Sequence, residues 1–262
     1  MNRYEQIIEQ IFLMYYTEGQ REIRFVREDI ERIAAALNIK LPKNLGDVLY
    51  SFRYRTHLPQ TIREKAPAGE EWIIVSVGRS QYAFVATPLA TIVPRQGLAE
   101  TKIPDATPGI IVKYALSDEQ ALLAKLRYNR LVDVFTGVTC YALQSHLRTT
   151  VPNVGQVETD ELYVGIDRRG MQYVFPVQAK GGSDTLSVVQ IMQDFALCEI
   201  KFPALTCIPI AAQFMAGDVI ALFAFEKNDV QISVSAERHY HLVAPEQITA
   251  ADLQQYQARP TE

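Results

Sequence analysis

Gly155-Gln156-Val157-Glu158-Thr159-Asp160-Glu161-Leu162-Tyr163-Val164-Gly165, followed after the turn Asp167-Arg168-Arg169-Gly170 by Gln172-Tyr173-Val174-Phe175-Pro176-Val177-Gln178-Ala179-Lys180, is the stretch whose pattern decides the fold. Both runs are rich in residues that suit a pleated surface, and the Asp/Gly turn between them makes a hairpin the natural arrangement. Alternate side chains of an extended strand share a face, which puts Glu158 with Asp160 and sets Glu161 on the other side. The same rule puts Gln178 with Lys180 and leaves Phe175, Val177 and Ala179 facing a core. In neighbouring strands, a carboxylate, an amide oxygen and an ammonium then converge. That trio suits phosphodiester hydrolysis: oxygen ligands hold a hard divalent cation, and the lysine positions water and offsets developing negative charge.

Outward from this hairpin, Ser117-Asp118-Glu119-Gln120 reads as an N-cap with an acidic first turn, opening a helix through Leu122, Leu123, Leu126 and Tyr128. A second helix is predicted over Thr139 to Leu147 and a third over Ser187 to Leu197. Ile208–Ile210, Val219–Phe225, Val230–Ser235 and Tyr240–Val243 are further strands. Residues 96–262 therefore read as an α/β (α+β) unit built on a mixed central sheet.

The N-terminal half has a different character. Apolar residues at Ile7, Ile8, Ile11, Phe12 and Tyr15 mark a helix over Tyr4–Tyr16, and an extended piece follows at Ile23–Val26. Ile30, Ile33, Ala34 and Leu37 mark a second helix, and Leu45, Val48, Leu49 and Phe52 a third from about Asn44 to Arg53. Trp72–Val77 and Gln81–Thr87 pair as a hairpin around Gly78-Arg79-Ser80. Three helices and a hairpin over residues 1–95 resemble a winged helix-turn-helix domain, whose third helix enters the major groove. Lys43, Asn44, Arg53, Arg55, His57 and Arg79 are the candidate DNA contacts, with Arg63 and Lys65 adding to the basic cluster. A basic run is equally compatible with a solvated surface, and winged helices also bind proteins. Pro88–Pro108, rich in Pro, Gly, Thr and Ala, reads as a linker, with a boundary near 95–110.

Asp160, Gln178 and Lys180 carry a resemblance to the PD-(D/E)XK nuclease superfamily, which includes many type II restriction endonucleases. There an acid on one strand and an acid-x-lysine pair on the next surround Mg²⁺. The resemblance implies Asp160, Gln178 and Glu158 as metal ligands and Lys180 as the catalytic lysine, with Glu158 matching an accessory acid of some members. The sequence departs from the pattern in two places: no proline precedes Asp160, and glutamine stands at 178 where an acid is usual. The implied activity is Mg²⁺-dependent cleavage of double-stranded DNA by a restriction-endonuclease-like core. A palindromic target implies a homodimer, and a cognate methyltransferase would act in the same system without a stable complex. A repair or structure-specific nuclease, and a DNA-binding regulator that has lost cleavage, are the alternatives.

Other residues have plainer explanations beside their functional ones. Gln190, Gln193 and Asp194 on the next helix could support the site or only face solvent. Glu119 and Asp133 suit helix capping as well as catalysis, and His146 and Arg148 suit a surface as well as phosphate. His239 and His241 lack a clear third ligand and read as structural. Gly181-Gly182 lacks the Walker pattern and reads as a close turn.

Bulk properties bound the rest. The 262 residues carry 48% hydrophobic and 21% charged side chains and no run approaching a membrane span, which needs roughly 18 apolar residues. No signal-like segment opens the chain, so a cytoplasmic location is expected. The three cysteines, Cys140, Cys198 and Cys207, form no CxxC pair and suggest neither disulfides nor zinc. The net charge of -4 gives no general attraction to nucleic acid, so any DNA contact must rest on local basic patches.

Overall fold

The structure, a computed structural model, describes residues 2–115, 118–181, 185–228 and 231–259. In chain order the first elements are α1 (Arg3–Tyr15), β1 (Glu22–Val26), α2 (Arg27–Ala36), α3 (Gly46–Tyr54), α4 (Gln60–Arg63), β2 (Glu71–Gly78) and β3 (Gln81–Thr87). Then come β4 (Thr91–Ile92), β5 (Glu100–Pro104), α5 (Gly109–Tyr114), α6 (Asp118–Tyr128), α7 (Leu131–Thr136), β6 (Thr139–Val151), β7 (Gly155–Ile166) and β8 (Gln172–Lys180). The chain continues through β9 (Leu186–Ser187), α8 (Val188–Lys201), β10 (Thr206–Cys207), β11 (Ile210–Phe214), β12 (Val219–Asn228), β13 (Gln231–Val243) and α9 (Ala250–Gln257).

The N-terminal helices form where capping and apolar spacing agree. The Asn2 side chain accepts from the Tyr4 and Glu5 N–H groups, and the Glu5 carboxylate returns to the Asn2 N–H, a reciprocal box that starts α1. Ile7, Ile8, Ile11 and Phe12 are then buried against Ile30, Val48, Phe52, Trp72 and Phe84. Asp29 reaches back to the Val26 N–H and starts α2. β3 lies between β1 and β2 in an antiparallel sheet, so the extended piece at 23–26 becomes a third strand beside the foreseen hairpin.

A large mixed sheet organises the rest, in the order β5-β13-β12-β11-β8-β7-β6, with β10 also paired to β8. β6, β7 and β8 form an antiparallel meander, whereas β8 and β11 are parallel and are linked through α8 as such a crossover requires. On one face, Leu122, Leu126 and Leu131 of α6 and α7 pack on Phe175, Val177, Ala179, Ile210 and Leu222. On the other, Val189, Ile191 and Phe195 of α8 pack on Ala211, Ala221 and Phe223, joined by Ile73 of β2 and Ile92 of β4. The N-terminal unit therefore rests on the α8 side of the sheet. Pro88–Pro108 is more than a connection, because β4 pairs with β9 and β5 pairs with β13.

One expected element is overturned. Thr139–Leu147 is not a helix but the first part of β6, which pairs with β7 from Thr139↔Ile166 to Val151↔Gly155. β6 is an edge strand with most side chains exposed, so it has no burial period to read. The backbone at Asn153 (φ 62°) and Gly155 (φ 94°) turns the chain back, and the ladder then decides the conformation. Of the strand expected at Ile208–Ile210 only Ile210 is extended in the sheet, as the start of β11; residues 208–209 link it to β10. The two late strands predicted at 230–235 and 240–243 are one strand, β13; Val230 itself, like Ser117 and Gly182, lies outside the described residues. Among the described residues no helix is long and apolar enough to cross a membrane.

Candidate active site

The β7–β8 ladder runs from Ile166↔Gln172 to Glu161↔Val177 and there gives way to a side chain. Asp160 Oδ2 accepts a 2.8 Å hydrogen bond from the Ala179 N–H, so the aspartate takes the role of a ladder partner between Gln178 and Lys180. On the opposite edge, Ser145↔Glu161 and Leu147↔Thr159 pair, while His146 between them has φ 49°. β7 is irregular here, and the alternation of faces slips. Thr159 bonds towards Asp194 of α8 and Leu162 packs with Cys198 of α8, although an ideal strand would put 159 and 162 on opposite sides. Glu161 faces α6, and Arg127 of α6 and Tyr163 of β7 hold its carboxylate in the interior.

Gln178 and Lys180 emerge from a core-facing strand as foreseen, with Phe175, Val177 and Ala179 fully buried on the other face. Gln178 is only 1% exposed. Its Nε2 donates to Asp194 Oδ1 and Oδ2 at 3.1 and 3.0 Å and to the Glu158 carbonyl at 3.1 Å, while its Oε1 accepts from Gln190 Nε2 at 3.2 Å. Asp194 is fully buried, and burial pushes its carboxyl up to about 8. Hydrogen bonds from Gln178 and Thr159 act against that shift, and the charge of Asp160 adds to it. A neutral acid inside the protein is thus satisfied by an amide, which avoids burying a bare charge.

Lys180 Nζ lies 3.3 Å from Glu119 Oε1. This contact depends on Gly181, where a Cβ would stand 2.5 Å from the Asp118 Cβ and 3.2 Å from the Glu119 backbone nitrogen. Glycine lets the end of β8 press against the start of α6. Glu119, for which capping was the simpler expectation, is thereby delivered to the side of Lys180. Burial raises the Asp160 carboxyl above the usual carboxylate range, opposed by the Ala179 N–H bond, by Lys180 and by His146; Glu119 adds to the rise. Asp160 and Lys180 therefore sense each other directly.

Glu158 behaves differently from expectation. Its side chain is exposed, with Arg148 as its cross-strand partner, and the contact it makes to Gln178 comes from its backbone carbonyl. Asp133 holds Arg130 and the Cys140 N–H, and buried His239 bonds Glu237 at 2.9 Å, both structural arrangements. His241 lies 3.7 Å from Glu100. Gln193 accepts from the Tyr54 hydroxyl at 3.0 Å, tying the end of α3 to α8.

The residues expected to contact DNA fall in three places. Lys43 and Asn44 precede α3, where Asn44 bonds Asp47 and the Gly46 N–H. Arg53, Arg55 and His57 gather at and beyond its C-terminal end around one cavity, and Arg79 stands exposed at the β2–β3 turn.

Among the described residues, no three His, Cys, Asp or Glu side chains are grouped as a metal cage. The oxygens that are present suit a hard cation that keeps much of its water: a carboxylate oxygen of Asp160 with no partner among the described residues, Glu119, and the Gln178 amide oxygen once Gln190 releases it. Asp194 and Thr159 are the participants that sequence reasoning underrated. Asp194 read as a helix residue that could support the site or face solvent, and Thr159 had a place on the wrong side of an assumed regular strand. Compared with family models, curated proteins and solved structures, the chain matches none.

Proposed function

We propose that this chain is a Mg²⁺-dependent endonuclease acting on double-stranded DNA, of the type II restriction kind and PD-(D/E)XK-like. The observation that carries the reading is Asp160 bonded to the Ala179 N–H, between Gln178 and Lys180, with Glu119 closing on the lysine from α6. Mg²⁺ bound by Asp160, with Gln178 and Glu119 as further oxygen donors, would polarise the scissile phosphate. Lys180 orients the attacking water through its ammonium and offsets charge that develops on the phosphate oxygens. Glu119 fixes the lysine's direction in the absence of DNA. Asp194 holds the Gln178 amide nitrogen, so that the oxygen has a defined place once Gln190 releases it. The basic residues at both ends of α3 and at Arg79 grip backbone phosphates, and a homodimer supplies the second centre for a double-strand break.

One observation favours a second reading, a DNA-binding regulator without cleavage: every polar atom of Gln178 is already engaged by Asp194, Glu158 and Gln190. Incubating supercoiled plasmid with purified protein, with and without Mg²⁺, separates the two. Linear or nicked product only with Mg²⁺ is expected of the nuclease; intact plasmid in all lanes with retained duplex binding supports the regulator.

A further inference from the structure

We infer that the cavity at the C-terminal end of α3 is a phosphate-binding pocket, with Arg53 as its principal ligand. The cavity measures about 70 Å³ and lies between the N-terminal unit and the β4–β9 ribbon. A water needs only roughly 10–15 Å³ on this measure, so the space admits a compact tetrahedral anion.

Its walls are donors in excess. Arg53, Arg55, Arg63 and His57 line it, against the single carboxylate of Glu71. Two guanidinium nitrogens of Arg53, Nε and Nη2, are shut off from solvent and have no hydrogen-bond partner among the described residues. The indole N–H of Trp72, a residue only 4% exposed that also lines the cavity, is likewise unpartnered. Three buried donors without an acceptor on residues of one small cavity are rare in native proteins, because each forfeits its hydration. An anion with several oxygens satisfies them together, and arginine's planar fork matches phosphate geometry.

The guanidinium is also held in place. Its carbon lies 5.0 Å from the centre of the Tyr54 ring, so the ring covers one flat side of the guanidinium. Tyr54 is fixed in turn by its bond to Gln193, next to Asp194, which holds Gln178. The pocket is thus joined to the candidate active site through Tyr54 and two successive residues of α8. The phosphate chemistry stands on these donors alone; assigning the phosphate to a DNA strand rests on the nuclease reading.

The test uses the full chain without Mg²⁺, so that it is independent of cleavage. Thermal melting is followed against inorganic phosphate, with sodium chloride at matched ionic strength as reference. Saturable stabilisation by phosphate beyond the chloride effect is expected, together with at least tenfold weaker phosphate binding in Arg53→Met and His57→Gln. An equal response to phosphate and chloride in the wild-type protein would overturn the pocket without any variant needing to fold. Anisotropy of a labelled duplex, titrated with phosphate, then identifies the source. Displacement of the duplex by phosphate, weakened in Arg53→Met, places a DNA phosphate in the pocket; saturable phosphate binding that leaves the duplex undisturbed supports a free phosphate or nucleotide as occupant. Failure of plasmid cleavage with phosphate stabilisation intact would remove the nuclease reading and leave the pocket.

Discussion

The side-chain amide of Gln178 donates to both carboxylate oxygens of Asp194, at 3.1 and 3.0 Å, in a region from which solvent is excluded. Position 178 is therefore tied to the interior of α8 as well as turned to the proposed catalytic centre. A carboxylate at 178 would meet a second carboxyl at hydrogen-bond distance. The amide removes that conflict, which gives the glutamine a physical reason in this fold.

Asp160→Asn and Lys180→Ala should each reduce plasmid cleavage by about 100-fold or more, because they remove a charge needed in the transition state and leave the fold intact. Duplex binding in Ca²⁺, followed by gel shift, should persist in both. Cutting near the wild-type rate by both folded variants would place the chemistry elsewhere.

Asp194 gives the protein a pH-dependent stability. Its carboxyl is raised from 3.8 to about 8 on folding, so between these values the folded state holds a proton that the unfolded state releases. Its contribution favours folding less and less as pH rises through that window and is level above about 8. Asp194→Asn keeps an amide in the same space without a titrating group. Melting temperatures measured from pH 4 to 9 should fall less steeply with pH in the variant than in the wild type. Parallel curves would contradict the buried neutral acid.

Arg55 and Arg79 are exposed at different ends of the N-terminal unit and should each contribute about one phosphate contact. Replacing both by Ala should lower the slope of log affinity against log salt by about 2, as two counterions fewer are released. An unchanged slope in an anisotropy titration would mean that this surface does not meet DNA.

The elements that sequence reveals well are those whose burial follows a regular period. α1 shows it in Ile7, Ile8, Ile11 and Phe12, and β8 in Phe175, Val177 and Ala179, so the core-facing side of the Gln178–Lys180 strand was legible. β6 was not, because an exposed edge strand carries no such period and is held by its pairing to β7. The site was legible in part. Asp160, Gln178 and Lys180 lie where adjacent strands put them, but the irregularity at Asp160 and the dependence of Gln178 on Asp194 arise between elements distant in sequence. Glu119 read as a helix start before a catalytic acid, since nothing local tells that Gly181 will press against it.

That contact is open to direct trial. Gly181→Ala places a methyl group 2.5 Å from the Asp118 Cβ, so β8 and α6 must separate at this point. Overpacking of this kind costs about 1–3 kcal/mol. Cleavage should fall about tenfold or more while duplex affinity is retained, since Lys180 loses its neighbour Glu119. Wild-type melting temperature and rate together would show that the close approach does not exist in solution.

Gln178→Glu tests the argument for the glutamine itself. The new carboxylate oxygen replaces a donor that lies about 3 Å from Asp194, and two carboxyls so close cannot both ionise. At pH 5 one shared proton satisfies the pair, and the variant should melt close to the wild type. By pH 9 the unfolded chain has both groups ionised while the folded pair must hold its proton or bear two repelling charges in a buried site, so the melting temperature should fall well below wild type. Adding Asp194→Asn restores one amide opposite one carboxylate and should recover most of the loss at pH 9. The double variant also turns a charged oxygen toward the metal position, so half-maximal cleavage should need less Mg²⁺ than in the wild type. A single Gln178→Glu variant as stable as the wild type at pH 9 would show that the two side chains do not meet, and the structural explanation for glutamine at this position would fall with it.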